Sequence, residues 1–208
     1  MKAKIMTIAR HRMGTDGRGV SSLVAFWGCP LQCRYCINNF CHDPKTHCEE
    51  LEPEELVRIL MLDEIYYRMS GGGIVFGGGE PLLHSEYIRT VVELLPKDFP
   101  IRIETSLNVP WADIEVLYDV VDEWIIDVKD LNPDIYFHYT NSDNEYVTAN
   151  ILNLVRQYRI QGDDPKEHIQ FRVPTIPGYN TQADVDESIK KLSAYGKTER
   201  FEYQVHNT

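Results

Sequence analysis

Residues 27–43 read WGCPLQCRYCINNFCHD, and they place Cys29, Cys33 and Cys36 within eight positions, at the spacing C-x3-C-x2-C. The whole chain has five cysteines in 208 residues. Three of them on one short loop pose a definite chemical question. Iron–sulfur cubanes are held by four thiolates, one per iron, so a loop that offers three leaves one iron without a protein ligand. Gly28 just ahead of Cys29 eases a close backbone approach, and Pro30 and Tyr35 stiffen and cover the loop. The competing metal is zinc. Structural zinc sites draw on C-x2-C pairs with a second pair or histidines far along the chain, and no second C-x2-C pair occurs here. Cys41 and Cys48, flanked by His42 and His47, offer two cysteines and two histidines as an alternative zinc set, or a cap on the loop. Adjacent Cys-His pairs cannot readily aim both side chains at one metal.

Around this loop the apolar pattern alternates between short strand-like runs and longer helical ones. Strands are expected at 21–28, 72–81, 101–106, 123–130, 168–178 and 200–205. Helices are expected at 53–69, 85–96, 111–122, 144–160 and 182–196. Pro53 with acids behind it marks the first helix start. The succession is that of a parallel α/β sheet. A full eight-fold (β/α) barrel takes about 250 residues, so this chain is expected to form an open, partial (β/α)6 TIM-like barrel. A single domain over residues 1–208 is expected. The polar, aromatic stretch 131–143 reads as a mobile loop.

The net charge of −11 is spread along the chain and works against a nucleic-acid backbone as partner. No run is apolar and long enough to cross a bilayer, and the basic start MKAKIMTIARHRMGTDGRG lacks the apolar stretch of a signal peptide. A cytoplasmic setting follows, where clustered thiols stay reduced and serve metal or catalysis.

Candidate site residues gather at strand C-terminal ends, where α/β folds put their chemistry. GGGEPLL (77–83) follows a strand. Gly78 and Gly79 carry no side chain and permit close approach of main-chain groups to a ligand, and Glu80 adds a negative charge suited to an ammonium. IETS (103–106) puts Glu104 and Thr105 at the next strand end. IIDVKDLNP (125–133) offers Asp127 and Lys129 two apart and so on one side of a strand. FRVPTIPGYNT (171–181) adds Arg172, whose fork suits a carboxylate.

Together these segments resemble the radical S-adenosylmethionine superfamily. CPLQCRYC matches its C-x3-C-x-aromatic-C motif, and GGEP matches its glycine–glutamate motif. DVK, RVPTIPGYN and the early TDGRG (15–19) resemble the glycyl-radical activases in particular, in a short form without a ferredoxin insert. The resemblance spans Asp16 to His206. It implies one 4Fe–4S cluster on Cys29, Cys33 and Cys36, with the open iron chelated by S-adenosylmethionine. It implies a cofactor pocket of Tyr35, Gly78, Gly79, Glu80, Glu104, Thr105, Asp127, Lys129, Arg172 and His206. A monovalent cation held by Glu104 and Asp127 beside the cofactor carboxylate is also implied. So are a glycyl-radical enzyme as protein substrate and a flavodoxin- or ferredoxin-type electron donor. Two other readings stay open: a radical enzyme acting on a small molecule, such as the carboxydeazaguanine synthases, and a non-catalytic iron–sulfur carrier or sensor.

Cys33→Ala is expected to abolish cluster assembly. Full iron and sulfide content in the reconstituted variant would refute the ligand assignment.

Overall fold

The computed structural model describes residues 1–202. Eight strands form one sheet: β1 (Ala3–Met13), β2 (Val20–Phe26), β3 (Glu49–Leu51), β4 (Ile74–Gly78), β5 (Ile101–Thr105), β6 (Glu123–Asp127), β7 (Ile169–Thr175) and β8 (Lys197–Glu202). Their order is β3-β1-β2-β4-β5-β6-β7-β8. From β2 to β8 every neighbouring pair is parallel, while β1 runs antiparallel to both β2 and β3. The expected six parallel strands are therefore present, and the sheet does not close among the described residues. β1 and β3 add a flank that the apolar pattern did not announce, because β1 carries Lys4, Arg10, His11 and Arg12 among few buried positions. The last strand starts at Lys197, three residues before its expected start.

The connecting helices are α1 (Pro53–Leu60), α2 (Glu64–Ser70), α3 (Ser85–Leu94), α4 (Trp111–Glu115), α5 (Pro133–Thr140), α6 (Glu145–Gln161), α7 (Pro165–His168) and α8 (Gln182–Leu192). The expected helix 53–69 is split by a 3-10 turn, Met61–Asp63, and only Trp111–Glu115 of the expected 111–122 helix is regular. Residues 131–143 are not the loop the sequence suggested. Asn132 caps α5 with Pro133 at its first position, and Tyr136 and Tyr139 are fully buried. Side chains that spread polar atoms over aromatic rings read as loop in sequence but bury well when their hydroxyls face other polar groups.

Strand alternation sorts the sheet into two faces. Ile74, Phe76, Ile101, Ile103, Trp124, Ile126, Ile169 and Phe171 belong to the apolar core beneath the helices. The opposite, concave face carries Arg102, Glu104, Glu123, Asp127, Gln170 and Arg172. In register, Arg102 stands opposite Glu123 and Asp127 opposite Arg172. The turn between β1 and β2 belongs to this face too. The Arg102 side chain donates to the Arg18 carbonyl, 3.3 Å away, and to Glu123 at 3.0 Å. Gly17, at φ +93°, has no room for a Cβ against the Arg102 guanidinium, which would lie 2.6 Å away. Charged residues on a sheet interior are tolerated because they are paired, Arg102 with Glu123 and Glu104 with Arg172 across strands and Asp127 with Lys129 just past its own strand.

On the outer side, Asp63 anchors the β1–β2 hairpin. Its buried carboxylate accepts from Arg10 Nε at 2.7 Å and Nη2 at 2.6 Å, and lies 2.8 Å from His11 Nε2. Ser22 Oγ adds a longer contact, and Tyr67 donates to Ser22 at 2.7 Å. His11 sits at φ +57° where the β1–β2 register shifts. Hydrogen bonding from Arg10 holds the Asp63 carboxyl below its ordinary range. A depressed carboxyl contributes stability above its unfolded value, and that contribution is lost as pH falls through the lower folded value. Asp63→Asn is expected to cost about 2 kcal/mol near neutral pH and to flatten the loss of stability below about pH 4. Urea melts at several pH values check this; parallel pH profiles for variant and parent would refute it.

Candidate active site

The C-terminal ends of β2, β4, β5, β6 and β7 surround one rim, and the cysteine loop lies across it. The loop begins directly after β2. Its path is fixed by main-chain bonds: Gly28 N donates to Cys41 O at 3.2 Å, Gln32 N to Thr140 O at 2.9 Å, and Arg34 N to Tyr139 O at 3.1 Å. The last two acceptors are C-terminal carbonyls of α5, groups that a helix leaves without internal partners. α5 therefore seats the cysteine loop. Asn141 Nδ2 reinforces the contact by donating to Gln32 Oε1 at 3.1 Å.

The glycine turn after β4 locks into the same loop. Gly79 N donates to Phe26 O at 2.9 Å and Glu80 N to Gly28 O at 2.7 Å. A Cβ on Gly79 would lie 2.1 Å from Gly28 O, and one on Gly78, at φ +98°, 2.6 Å from Ala25 Cα. The close approach that these glycines permit is thus to the chain's own backbone, the end of β2 and the start of the cysteine loop. Asn38 Nδ2 donates to Gly78 O at 2.9 Å and ties the far side of the loop to the same turn.

Glu80 points inward. It is 1% exposed, and its two oxygens take four donors: Thr105 Oγ1 at 2.6 Å and Leu82 N at 3.3 Å on one, Ser106 N at 3.0 Å and Ser106 Oγ at 2.7 Å on the other. Burial pushes this carboxyl up, and the bonds from Thr105 and Ser106 pull it back. The sequence reading gave Glu80 and Thr105 to the cofactor; they are also partners of each other, and Ser106 completes the set. Ser106 sits two residues beyond Glu104, and no sequence signal separates it from an ordinary turn serine.

Glu104 and Arg172 form an ion pair, and Arg172 also donates to the Thr15 carbonyl. Burial raises the Glu104 carboxyl, opposed by Arg172. Asp127 Oδ2 lies 3.1 Å from Lys129 Nζ, with Lys129 8% exposed. Asp16, in the TDGRG turn, is buried and paired with Arg12. Glu104 with Arg172, Asp127 with Lys129 and Asp16 with Arg12 thus match acid to base along this face, as Glu123 does with Arg102.

The three motif thiols are free and partly exposed, and Cys29 and Cys33 pack against the edge of the core. Burial pushes the Cys29 thiol up, and the charge of Glu80 adds to the effect. Burial also raises Cys33, while the charge of Lys129 pulls it down. A bare thiolate is disfavoured at such a place and an iron centre relieves it. Among the described residues no three His, Cys, Asp or Glu side chains converge on a point for a single metal ion. That includes Cys41, His42, His47 and Cys48, which the alternative zinc reading would gather. A cubane makes the opposite demand, one thiolate on each of three irons, and the donor set of Cys29, Cys33 and Cys36 fits it.

Tyr35, between the second and third cysteines, turns toward the rim. It donates to Pro177 O at 3.3 Å and packs edge-on to Tyr179, with ring centroids 5.8 Å apart; Tyr139 lies 5.2 Å from Tyr179. Asn180 fixes the turn that carries Tyr179: its Oδ1 accepts from Ile176 N at 2.6 Å, and its Nδ2 donates to Asp130 Oδ2 and Pro174 O. Asp130 and Asn180 stand within DVKD (127–130) and RVPTIPGYN (172–180), where spacing alone gives them no role. His206 lies outside the described residues.

A partial parallel barrel with a three-cysteine loop at its strand ends defines a class, and comparison bears it out. Residues 24–192 match the Radical SAM superfamily, and the chain belongs to it. Members of this superfamily carry a three-cysteine 4Fe–4S cluster and use S-adenosylmethionine. Among particular relatives, the chain is 31% identical over 153 residues to the (2S)-3-sulfopropanediol dehydratase activating enzyme of Klebsiella oxytoca, covering 71% of this chain and 46% of that one. It is 32% identical over 128 residues to the pyruvate formate-lyase-activating enzyme of Clostridium pasteurianum, covering 58% and 50%. The chain therefore spans about half the length of these relatives. A radical SAM methyltransferase from Sphaerobacter thermophilus shares the fold, with a TM-score of 0.63 at 18% identity over 93% of this chain and 66% of that one.

In Glu80→Gln, whichever way the amide is turned, its NH2 meets a main-chain N–H, of Leu82 or of Ser106. The variant is expected to lose about 2 kcal/mol of stability, read from urea melts of the cluster-free protein. Unchanged stability would show that the four bonds do not hold the rim.

Proposed function

We propose that this protein is a glycyl-radical activase whose cluster is held by Cys29, Cys33 and Cys36. The observation that carries the reading is the meeting of three free, half-buried thiols with Lys129, Asp127, Glu104 and Arg172 at one rim. A carrier of electrons needs the sulfurs but has no use for this set of charges. When bound, the cluster supplies the electron that splits the sulfonium of S-adenosylmethionine, giving methionine and a 5′-deoxyadenosyl radical.

The chain's own residues bind and orient. Lys129, whose charge acts on Cys33, is assigned the cofactor carboxylate, with Arg172 as the second cation. Because both Glu80 oxygens are filled, the cofactor ammonium falls to main-chain carbonyls of the Gly78–Glu80 turn, and Glu80 and Thr105 hold that turn in place. Glu104 and Asp127 provide carboxylates for a monovalent cation beside the same carboxylate. The open flank of the barrel admits a segment of a partner protein, whose backbone glycine gives up its α-hydrogen. The names of the relatives, activating enzymes for sulfopropanediol dehydratase and pyruvate formate-lyase, support a glycyl-radical enzyme as that partner. We assign reduction to a flavodoxin- or ferredoxin-type donor in the cytoplasm, and the residues 1–208 to one domain. No helix among the described residues is long and apolar enough to cross a membrane.

Anaerobically reconstituted and reduced protein is expected to release 5′-deoxyadenosine from S-adenosylmethionine. A glycyl radical signal in electron paramagnetic resonance is expected only when a glycyl-radical enzyme is added. Release of the nucleoside with no radical on any such partner would overturn the activase reading in favour of a small-molecule substrate.

A further inference from the structure

The turn between β1 and β2 carries TDGRG (15–19), and the function proposed above gives it no task. It lies on the concave face, held by two arginines from strands that are not neighbours. Arg172 of β7 donates to the Thr15 carbonyl, and Arg102 of β5 donates to Arg18 O at 3.3 Å. In the sheet β6 stands between them. At one end the turn meets a residue assigned to the cofactor, and at the other a residue with no assigned role.

Arg102 is 5% exposed. Its Nε donates to Glu123 Oε2 at 3.0 Å and its Nη2 to Arg18 O, while Nη1 has no hydrogen-bond partner among the described residues. A buried cation with an unpaired nitrogen carries a desolvation cost that an apolar side chain avoids. What the guanidinium adds is a fork that holds a carboxylate and a main-chain carbonyl at once. The turn is fitted to that fork. Gly17, at φ +93°, lies so close that a Cβ would stand 2.6 Å from Arg102 Nε. Gly19, at φ +80°, is pressed as tightly on the other side, where a Cβ would be 2.4 Å from Gly72 N. Between them in space and chain, the position of the turn against the sheet is set, and with it the Thr15 carbonyl.

We propose that Arg102 is a positioning residue: by seating the TDGRG turn through Arg18 O and Gly17, it sets the Thr15 carbonyl that, together with Glu104, aims the Arg172 guanidinium at the carboxylate of S-adenosylmethionine. Arg172 gives one terminal nitrogen, Nη1, to Glu104 and the other, Nη2, to Thr15 O. Two acceptors on the two ends of the fork fix its plane, and three of its five N–H donors stay available. A cation held in one orientation before its ligand arrives loses less freedom on binding. The charge of Asp16, the next residue of the turn, also acts with that of Arg172, as their closeness requires.

The inference rests on Arg172 serving the cofactor carboxylate, and the test separates the two. Gly17→Ala and Arg102→Lys are compared with Arg172→Ala and with each of them combined with Arg172→Ala. Lysine keeps a cation for Glu123 without the fork, so Arg102→Lys spares the fold where Gly17→Ala strains it. Each protein is reconstituted anaerobically, iron and sulfide are assayed, and S-adenosylmethionine affinity is measured by equilibrium dialysis. Both single variants are expected to keep the parent's iron and sulfide and to bind the cofactor about fivefold more weakly. The double variants are expected to bind no more weakly than Arg172→Ala alone, because the effect passes through that residue. A fold defect without such coupling would instead add to the loss in the doubles, and additive losses overturn the proposal. So does parental affinity in both single variants. Loss of iron from both single variants overturns it as well, by making the turn a support of the cysteine loop. Parental affinity in Arg172→Ala refutes the cofactor assignment itself, and the proposal falls with it.

Discussion

The buried carboxylate of Glu80 is the constraint on which the rim depends. It leaves the end of β4 and crosses to the end of β5, where Thr105 Oγ1, Ser106 Oγ and Ser106 N donate to it, and Leu82 N of its own turn gives the fourth bond. An ionised carboxylate without such donors is among the costliest groups to bury, and hydrogen bonds to a charged acceptor are among the stronger ones. The main chain of the same residue donates to Gly28. One residue thus joins two strand ends through its side chain and the cysteine loop through its backbone. Displacing it would loosen all three at once.

A second layer of constraint comes from α5. Loops that hold reactive groups need rigid supports, and here the support is a helix C-terminus. Its unsatisfied carbonyls, of Tyr139 and Thr140, accept from the amides of Arg34 and Gln32. The helix end is completed by Asn141 in the left-handed region at φ +57°, a conformation that Asn adopts more readily than most residues. The rings of Tyr35, Tyr139 and Tyr179 then bind loop, helix and the turn after β7 into one aromatic contact. The geometry around the cysteines is therefore set from three directions by segments far apart in sequence.

Much of this was legible in the residues. The parallel strands announced themselves because runs such as IVF (74–76) and WII (124–126) are buried on both faces and read as continuous apolar stretches. The gathering of cysteines, glycines and charges at strand ends followed from that register. β1 escaped notice because its charged residues pair with Asp63 and Asp16, partners 53 and 4 residues away, and pairing of that kind has no periodicity. α5 escaped because its tyrosines bury aromatic area while keeping a polar tip, which a hydropathy pattern scores as surface. At Gly78 and Gly79 the space that a side chain would need is taken by the backbone of β2 and of the cysteine loop. Sequence shows that a residue lacks a side chain, and only the fold shows what fills the space.

The interlock of Gly28 with Gly79 carries a consequence for how this architecture can change over time. The stretch from Gly28 to Asn38 is tied to the glycine turn at both ends, by Glu80 N on Gly28 O and by Asn38 Nδ2 on Gly78 O, so an added residue between them has to be taken up without moving either anchor. Beyond His42 the bonds are local: Thr46 Oγ1 donates to Phe40 O at 2.6 Å and Trp27 Nε1 to Asp43 O at 3.3 Å, and Lys45 and His47 stand in the short excursion that precedes β3. Added residues are therefore expected to be tolerated better between His42 and β3 than between Cys29 and Cys36, where the anchor points fix the span.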